Sequence, residues 1–249
     1  MILTLAGREL HTMFLSPLAW SILAVVNFII GYLFLGQLDL FLQVQPKLAT
    51  LIDAPGLTEI VISPIFSNAA MIFLLVIPLL TMRLISEERR TQTLNLLFSA
   101  PISITEIVLG KFLGIMGFIF IMLFFLALMP LSLLFGGNLD LGMVFSGFLA
   151  LTLLLASFAS VGLYMSTLTT QPTIAAISSF GLLLLLWIID WAVDISRNDG
   201  VLSYLSMLKH YGPLLEGVFK SSDVIYYLLF ILTFLMLSIR RLDADRLQH

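Results

Sequence analysis

The amino-acid sequence predicts an all-α integral membrane protein with six transmembrane helices. Of its 249 residues, 60% are hydrophobic and only 11% are charged, whereas a soluble domain carries about 25% charged residues. Apolar runs of about 20 residues recur along the chain, which is the length that a helix needs to cross a bilayer. These runs lack the alternation of polar and apolar residues that the strands of a membrane barrel show.

The first predicted element is a short amphipathic helix at residues 3–15. Leu10 and Phe14 share its apolar side, and Arg8 and Glu9 lie on the other, so we expect the helix to lie in the membrane interface. A cytosolic extension of the first span is the alternative. The apolar run that follows is longer than the apolar core of a cleavable signal peptide, so no such peptide is expected.

Helix-start signals place the spans. Pro17 and Pro64 each follow a serine, which combines a capping residue with a proline at the first helical position. Ser103 and Glu106 fit a capping box at the start of the third span. The six spans are expected at about 17–38, 64–85, 104–135, 141–168, 172–195 and 223–240.

The connections between the spans differ in length. Residues 39–62 predict a loop on the outer side, with a short amphipathic piece at 57–62. Residues 196–222 are too broken by glycine and proline to span and too apolar for a free loop, so we expect two short half-helices in the outer interface. The tail after Arg241 is polar. Residues 1–249 are expected to form a single transmembrane domain.

The distribution of basic residues predicts the orientation. The side with both termini holds eight basic residues, and the other side holds four. Because the more basic side of a membrane protein faces the cytoplasm, both termini are expected there.

Charge gathers at one place, residues 83–111, between the second and third spans. Its four basic and three acidic residues are Arg83, Arg89, Arg90, Lys111, Glu87, Glu88 and Glu106. A polar segment of mixed charge between two spans predicts a docking surface for a cytoplasmic partner. The basic residues of the chain form no long run, so nucleic acid is not expected to bind.

No pattern of residues predicts catalysis. Gly110 and Lys111 lack the glycine five positions earlier, and the Ser or Thr that follows, in a phosphate-binding loop. The histidines, His11, His210 and His249, lack the spacing of metal ligands. The chain has no cysteine, which excludes thiolate metal sites. We therefore expect no enzyme activity, no cofactor and no metal in this chain.

A candidate outer gate comprises Asp190, Asp194 and His210. The two aspartates are four residues apart, so they share one face of the fifth span near its outer end. A role in a substrate exit path is one interpretation. The alternative is a solvated helix end that interacts with Arg197 or Lys209, where a charge costs little.

Small residues cluster near the start of the third span and in the fourth. They are Gly110, Gly114 and Gly117, and Ala156, Ser157, Ala159, Ser160 and Gly162. Such residues let helices approach closely, so we expect them to pack helices within one chain. Lining a conduit is the alternative.

The segment SEERRTQTLNLLFSAPISITEIVLGKFLG resembles the cytosolic coupling segment of type-2 ABC exporter permeases. That pattern has two acidic residues, basic residues, a short helix with Thr-Leu, a proline, and a capped helix ending in Gly-Lys. The matching residues are Glu87, Glu88, Arg89, Arg90, Thr93, Leu94, Leu97, Pro101, Glu106, Gly110 and Lys111. Gln92 stands where glycine is common in the pattern, and Asn95 where glutamate is common. Residues 202–227 are similar to the outer segment of the gliding-motility permease subgroup.

The resemblance implies a permease of the bacterial inner membrane that works as a dimer, with a second copy or a related permease. It also implies two cytosolic ATPase subunits, which bind ATP and Mg, and it leaves room for an accessory envelope subunit. Closure of the ATPases would push on the coupling segment and switch the spans between states. The implied function is export of a substrate that the sequence does not identify. The alternative is a membrane anchor and transducer for an ATPase that does mechanical work on an envelope complex without transport.

The resemblance assigns the coupling role to residues on and beside a short helix expected at 91–98. They are Glu87, Glu88, Arg89, Arg90, Thr93, Leu94, Leu97, Phe98 and Pro101. In that helix Leu94, Leu97 and Phe98 share a face, which is expected to enter a cleft in the ATPase. The alternative is that the leucines pack the helix against the inner ends of the spans.

Overall fold

The computed structural model of the protein describes residues 1–48, 56–94, 97, 102–135, 139–196 and 206–247. Within these ranges every regular element is helical. Six of the helical segments are long and apolar enough to cross a membrane. The predicted all-α fold with six spans is therefore confirmed.

The α-helices that the structure describes are numbered along the chain. In chain order they are α1 (Ile2–Leu15), α2 (Pro17–Leu48), α3 (Ser63–Thr81), α4 (Ser86–Arg90), α5 (Ile104–Ser132), α6 (Leu141–Leu168), α7 (Pro172–Ser196), α8 (Met207–Leu215) and α9 (Ser221–Leu247). A π-helical turn, Thr58–Ile62, leads into α3, and a 3-10 turn, Leu133–Phe135, follows α5. The end of the bundle that carries α4 is called the charged end below.

Helix α6 is the centre of the bundle, because α3, α5, α7, α8 and α9 all pack against it. Its small residues allow this packing. A Cβ atom added at Gly162 would clash with the Oγ1 atom of Thr81, at the end of α3. At Gly162 the small residue therefore serves close helix packing, as the sequence predicts.

Helix α1 packs along the first half of α5. A Cβ atom at Gly110 or Gly114 would come within 2.7 Å of the Cβ atom of Leu5 or Glu9, respectively. Ser16 has extended backbone angles (φ −85°, ψ 128°) and separates α1 from α2. Helix α1 is therefore a separate element and not an extension of the first span. Its place in the membrane interface stays a prediction.

The first span does not give way to a loop at Asp39. Helix α2 continues through Leu48, and the Gln43 side chain donates a 2.9 Å hydrogen bond to the Asp39 carboxylate one turn earlier. The predicted helix end near Leu38 is wrong, because polar residues end an apolar run without ending a helix. Residues 49–55 of the predicted loop lie outside the described residues.

The second span also begins earlier than predicted. The π-helical turn at Thr58–Ile62 runs directly into α3. Ser63 therefore lies inside a continuous helix and caps nothing, which corrects its predicted role. The α-helix α3 itself ends at Thr81, and turns at residues 82–85 lead into α4, so the apolar helical segment runs on to Arg90.

At the third span the capping box is confirmed. The Ser103 hydroxyl accepts from the Glu106 backbone N–H, and the Glu106 side chain accepts from the Ser103 backbone N–H. At the sixth span the helix is longer than the predicted span, whose end near Arg240 stays a prediction. Helix α9 continues to Leu247, helped by a pairing of Arg241 with Asp245 one turn later at 3.6 Å.

Helix α8 falls in the stretch where two outer half-helices are predicted, and most of the rest of that stretch lies outside the described residues. The place of α8 in the outer interface stays a prediction. In α8, the Tyr211 side chain is buried, and its hydroxyl donates a 2.9 Å hydrogen bond to the Phe66 carbonyl oxygen. Burial raises the pKa of this phenol. The Ser146 hydroxyl donates to the Leu214 carbonyl oxygen at 2.7 Å. These contacts fix α8 to the start of α3 and of α6.

Candidate functional site

Helix α4 is a single turn that Ser166 of α6 holds in place. The buried Ser166 hydroxyl accepts hydrogen bonds from the backbone N–H groups of Ile85 and Ser86, at 3.1 and 3.0 Å. It also donates to the Met82 carbonyl oxygen at 3.0 Å. One hydroxyl thus satisfies the backbone groups that the break between α3 and α4 leaves open. In the sequence, Ser166 is marked only as a polar side chain in an apolar span, which gives no sign of this role.

A buried ion cluster joins α4 to α1 and α5. Lys111 of α5 is only 3% exposed, and its ammonium lies 2.7 Å from a Glu88 oxygen and 2.9 Å from a Glu9 oxygen. Arg8 approaches the same two carboxylates at 3.5 and 3.7 Å. Because a buried ammonium is costly unless it is paired, Lys111 ties these three helices together. The sequence indicates only that Glu9 lies on the polar side of α1, and it gives no sign of the pairing with Lys111.

A second ion pair joins α4 to α9. The Arg89 guanidinium bonds the Asp245 carboxylate, and both side chains are mostly buried. In the sequence Asp245 is only one residue of a polar tail, and nothing there points to this pair. Neighbouring residues of α4, Glu88 and Arg89, therefore connect it to opposite ends of the chain.

The exposed tip of this region is residues 90–93. The Thr91 hydroxyl donates to the Glu87 carbonyl oxygen at 2.9 Å and lies 3.0 Å from the Thr93 hydroxyl oxygen. Gln92 has a φ of 60°, in the left-handed region that glycine adopts most readily. In the type-2 ABC exporter pattern, glycine is common at this position. The left-handed φ of residue 92 is a conformational reason for that preference.

The predicted helix at 91–98 does not begin where expected. Residues 91–93 form turns, because the left-handed conformation of Gln92 interrupts a right-handed helix. Leu94 is 6% exposed and belongs to the hydrophobic core, and Leu97 packs against that core. For these leucines the structure favours packing against the spans. Phe98 and Pro101 lie outside the described residues.

The candidate outer gate lies at the other end of the bundle. Asp190 and Asp194 belong to α7, and their side chains are outside the described part of the structure. The Nδ1 atom of His210 lies 2.8 Å from an Asp223 oxygen, and its ring stacks on Tyr226 with centroids 4.1 Å apart. The role of these residues as a gate stays a prediction. Among the described residues, no group of three His, Asp or Glu side chains is placed to hold a metal ion.

A comparison with curated proteins gives no match. The family model described as "ABC-2 family transporter protein" matches residues 3–247. The match covers all six candidate spans, the ion cluster and the Arg89–Asp245 pair. The chain therefore belongs to the ABC-2 family of transporter proteins.

Proposed function

We propose that the chain is the permease subunit of an ATP-driven exporter in a bacterial inner membrane. It pairs with a second copy or a related permease and works with cytosolic ATPase subunits, which bind the ATP and Mg. Family membership supports an ATPase partner and a bilayer location. The excess of basic residues on the side of the termini supports a cytoplasmic charged end.

The observation that carries the proposal is the set of contacts around α4. Ser166 fixes it to α6, Glu88 connects it through Lys111 to α1 and α5, and Arg89 connects it to α9. A force applied to the exposed tip is therefore passed to four other helices. An ATPase that binds one position of the tip better than another shifts the equilibrium between the two states of the spans.

The coupling residues divide into two groups in this proposal. The exposed tip, with Arg90 and Thr93, contacts the ATPase, and the exposed Glu87 lies at the rim of that contact. The buried or half-buried residues Glu88, Arg89, Leu94 and Leu97 hold the tip on the bundle. Phe98 and Pro101 remain assigned to the coupling segment by the resemblance alone.

Co-purification with a co-expressed cytosolic ATPase partner tests the docking surface. Thr93→Trp puts a bulky ring on the tip, and we expect the tagged permease to retain less than about a tenth of the ATPase, since lost interface contacts of 1.4 kcal/mol correspond to tenfold in affinity. Thr93→Ala, which removes only the hydroxyl, serves as one control. Arg240→Trp, at an exposed position on α9, serves as the other. Full retention by Thr93→Trp would show that the tip is not the docking surface.

Export itself is tested in liposomes that contain the purified complex. ATP-dependent movement of a labelled lipid or glycan across the bilayer supports export. ATP hydrolysis that depends on the permease, without movement of any compound co-purified from native membranes, supports the mechanical transducer instead.

A further inference from the structure

A cleft with a volume of about 310 Å³ lies at the charged end, between α1, the start of α2 and the end of α3. Its lining includes the apolar side chains Met13, Leu18, Leu80 and Leu84, and also charged side chains of α1, α4 and α5 together with Arg83. Ligand pockets commonly have volumes of about 300–1,000 Å³. The cleft therefore has room for a small polar group with an apolar continuation.

Three charged side chains that line the cleft are about half exposed. They are Arg8 at 57%, Arg83 at 48% and Glu87 at 53%. Arg8 lies 3.5 Å or more from its carboxylate neighbours, and the Arg83 Nε atom lies 4.0 Å from Glu87. These separations exceed the roughly 2.7–2.9 Å of a well-formed charge-assisted hydrogen bond. Two guanidinium groups and one carboxylate thus retain hydrogen-bonding capacity toward a ligand.

An apolar stripe leads from the cleft along α3, away from the charged end. Leu79 lines the cleft, and Leu75 and Met71 precede it at intervals of four residues. All three side chains are exposed, at 38%, 54% and 67%. Residues spaced by four share one face of a helix, so the stripe extends for about 12 Å along α3. Its length and direction suit an acyl chain that lies beside the span.

We propose that this cleft binds one phospholipid with an ethanolamine headgroup from the adjacent leaflet. The phosphate accepts hydrogen bonds from Arg8 and Arg83, since guanidinium groups suit phosphate geometry. The ammonium donates to Glu87, and one acyl chain follows the stripe on α3. A choline headgroup offers Glu87 no N–H donor, and a glycerol headgroup offers it no positive charge. The chemistry of the cleft therefore selects ethanolamine.

The position of the cleft relative to the bilayer agrees with this ligand. Trp20, near the start of α2, is more than half exposed, and its indole N–H donates to the Phe14 carbonyl oxygen at 2.8 Å. Tryptophan side chains of this kind concentrate at the level of the lipid headgroups. Ala19, the residue before Trp20, lines the cleft. The cleft thus lies at headgroup depth, and its ligand does not depend on the ATPase partner.

Lipid retention by the purified full-length chain tests the proposal. The protein is exchanged into nanodiscs with equal amounts of phosphatidylethanolamine, phosphatidylcholine and phosphatidylglycerol, extracted into detergent, and examined by native mass spectrometry. We expect one retained phosphatidylethanolamine per chain, favoured about tenfold over the other two lipids, which is the effect of one well-formed charge-assisted hydrogen bond. Arg8→Gln combined with Arg83→Gln should lower retention of all three lipids by a similar factor.

Glu87→Ala is the sharper variant, because it removes both the negative charge and the hydrogen-bond acceptor. It should abolish the preference for phosphatidylethanolamine over phosphatidylcholine and leave phosphate-dependent binding in place. This readout is a ratio within one sample, so it does not depend on the yield of folded protein. Arg240→Gln, at an exposed arginine outside the cleft lining, should change nothing. Equal retention of the three lipids by the unmodified chain, or displacement by soluble phosphoethanolamine at the same concentration, would overturn the proposal.

Discussion

Arg89 of α4 and Asp245 of α9 form an ion pair across 156 residues of sequence. The pair places the end of the last span beside the single turn that leads to the exposed tip. Arg241, one turn before Asp245, approaches the same carboxylate. The position of α4 therefore depends on a helix far from it in the sequence.

Breaking this pair should loosen α4. Arg89→Ala or Asp245→Ala should each lower the free energy of unfolding by about 1.5–3 kcal/mol, the contribution of a hydrogen bond to a charged group. The exchange Arg89→Asp with Asp245→Arg should recover part of the loss. Unfolding in mixed detergent micelles measures the effect. Arg90→Ala, at an exposed position of the same turn, should stay within about 0.5 kcal/mol. Losses that simply add in the Arg89→Ala, Asp245→Ala double variant would show that the pair contributes nothing.

Glycine at position 92 should stabilise the tip. Gln92 has a φ of 60°, a conformation that costs a residue with a side chain about 1–2 kcal/mol and costs glycine almost nothing. Gln92→Gly should therefore raise the thermal unfolding midpoint of the detergent-solubilised protein. Gln92→Ala keeps the steric cost and should not raise it. A midpoint for Gln92→Gly at or below that of Gln92→Ala would contradict the left-handed conformation.

Adding one carbon atom at Gly114 should disturb the packing of α1 on α5. The new Cβ atom would lie 2.7 Å from the Cβ atom of Glu9 and 3.2 Å from the Ala6 carbonyl oxygen. Overpacking of this kind costs about 1–3 kcal/mol, so Gly114→Ala should lower the unfolding midpoint and displace Glu9 from Lys111. Gly181→Ala is the matched control, because no atom lies within 4 Å of its added Cβ atom. Equal midpoints for the two variants would rule out the close contact.

Cysteine labelling tests which end of the bundle faces the cytoplasm. The chain contains no cysteine, so any engineered one is labelled without background. Glu216 is exposed at the end of α8. Glu216→Cys should therefore react with an impermeant thiol reagent added to intact cells. Gln92→Cys should react only after the membrane is opened. Labelling of Gln92→Cys from outside would reverse both the orientation and the proposed ATPase contact.

Local signals in the sequence predict the local structure well. The capping box of Ser103 and Glu106 forms because both partners lie within one helical turn. The six spans follow from the lengths of the apolar runs. Helix ends were harder to predict, because polar residues such as Asp39 and Gln43 end the apolar run of a span but can continue the helix.

The contacts that hold the candidate site are not local. Lys111 and Glu9 lie 102 residues apart in the sequence, and Arg89 and Asp245 lie still farther apart. Residue spacing identifies neighbours on one helix, but it gives no information on which face of a distant helix will approach. The sequence could therefore mark Glu88 and Arg89 as charged residues of a motif without indicating their partners inside the same chain.

The Arg89–Asp245 pair also has a consequence for biosynthesis. Because a chain emerges from the ribosome starting at its N-terminus, α4 is synthesised long before α9. Arg89 can meet Asp245 only after the sixth span has entered the membrane. A nascent or truncated chain that lacks this helix therefore presents a tip without the Arg89 anchor, held by Glu88, by Ser166 and by the packing of Leu94 and Leu97. The tip reaches its fully anchored state only in chains whose translation has passed the last span.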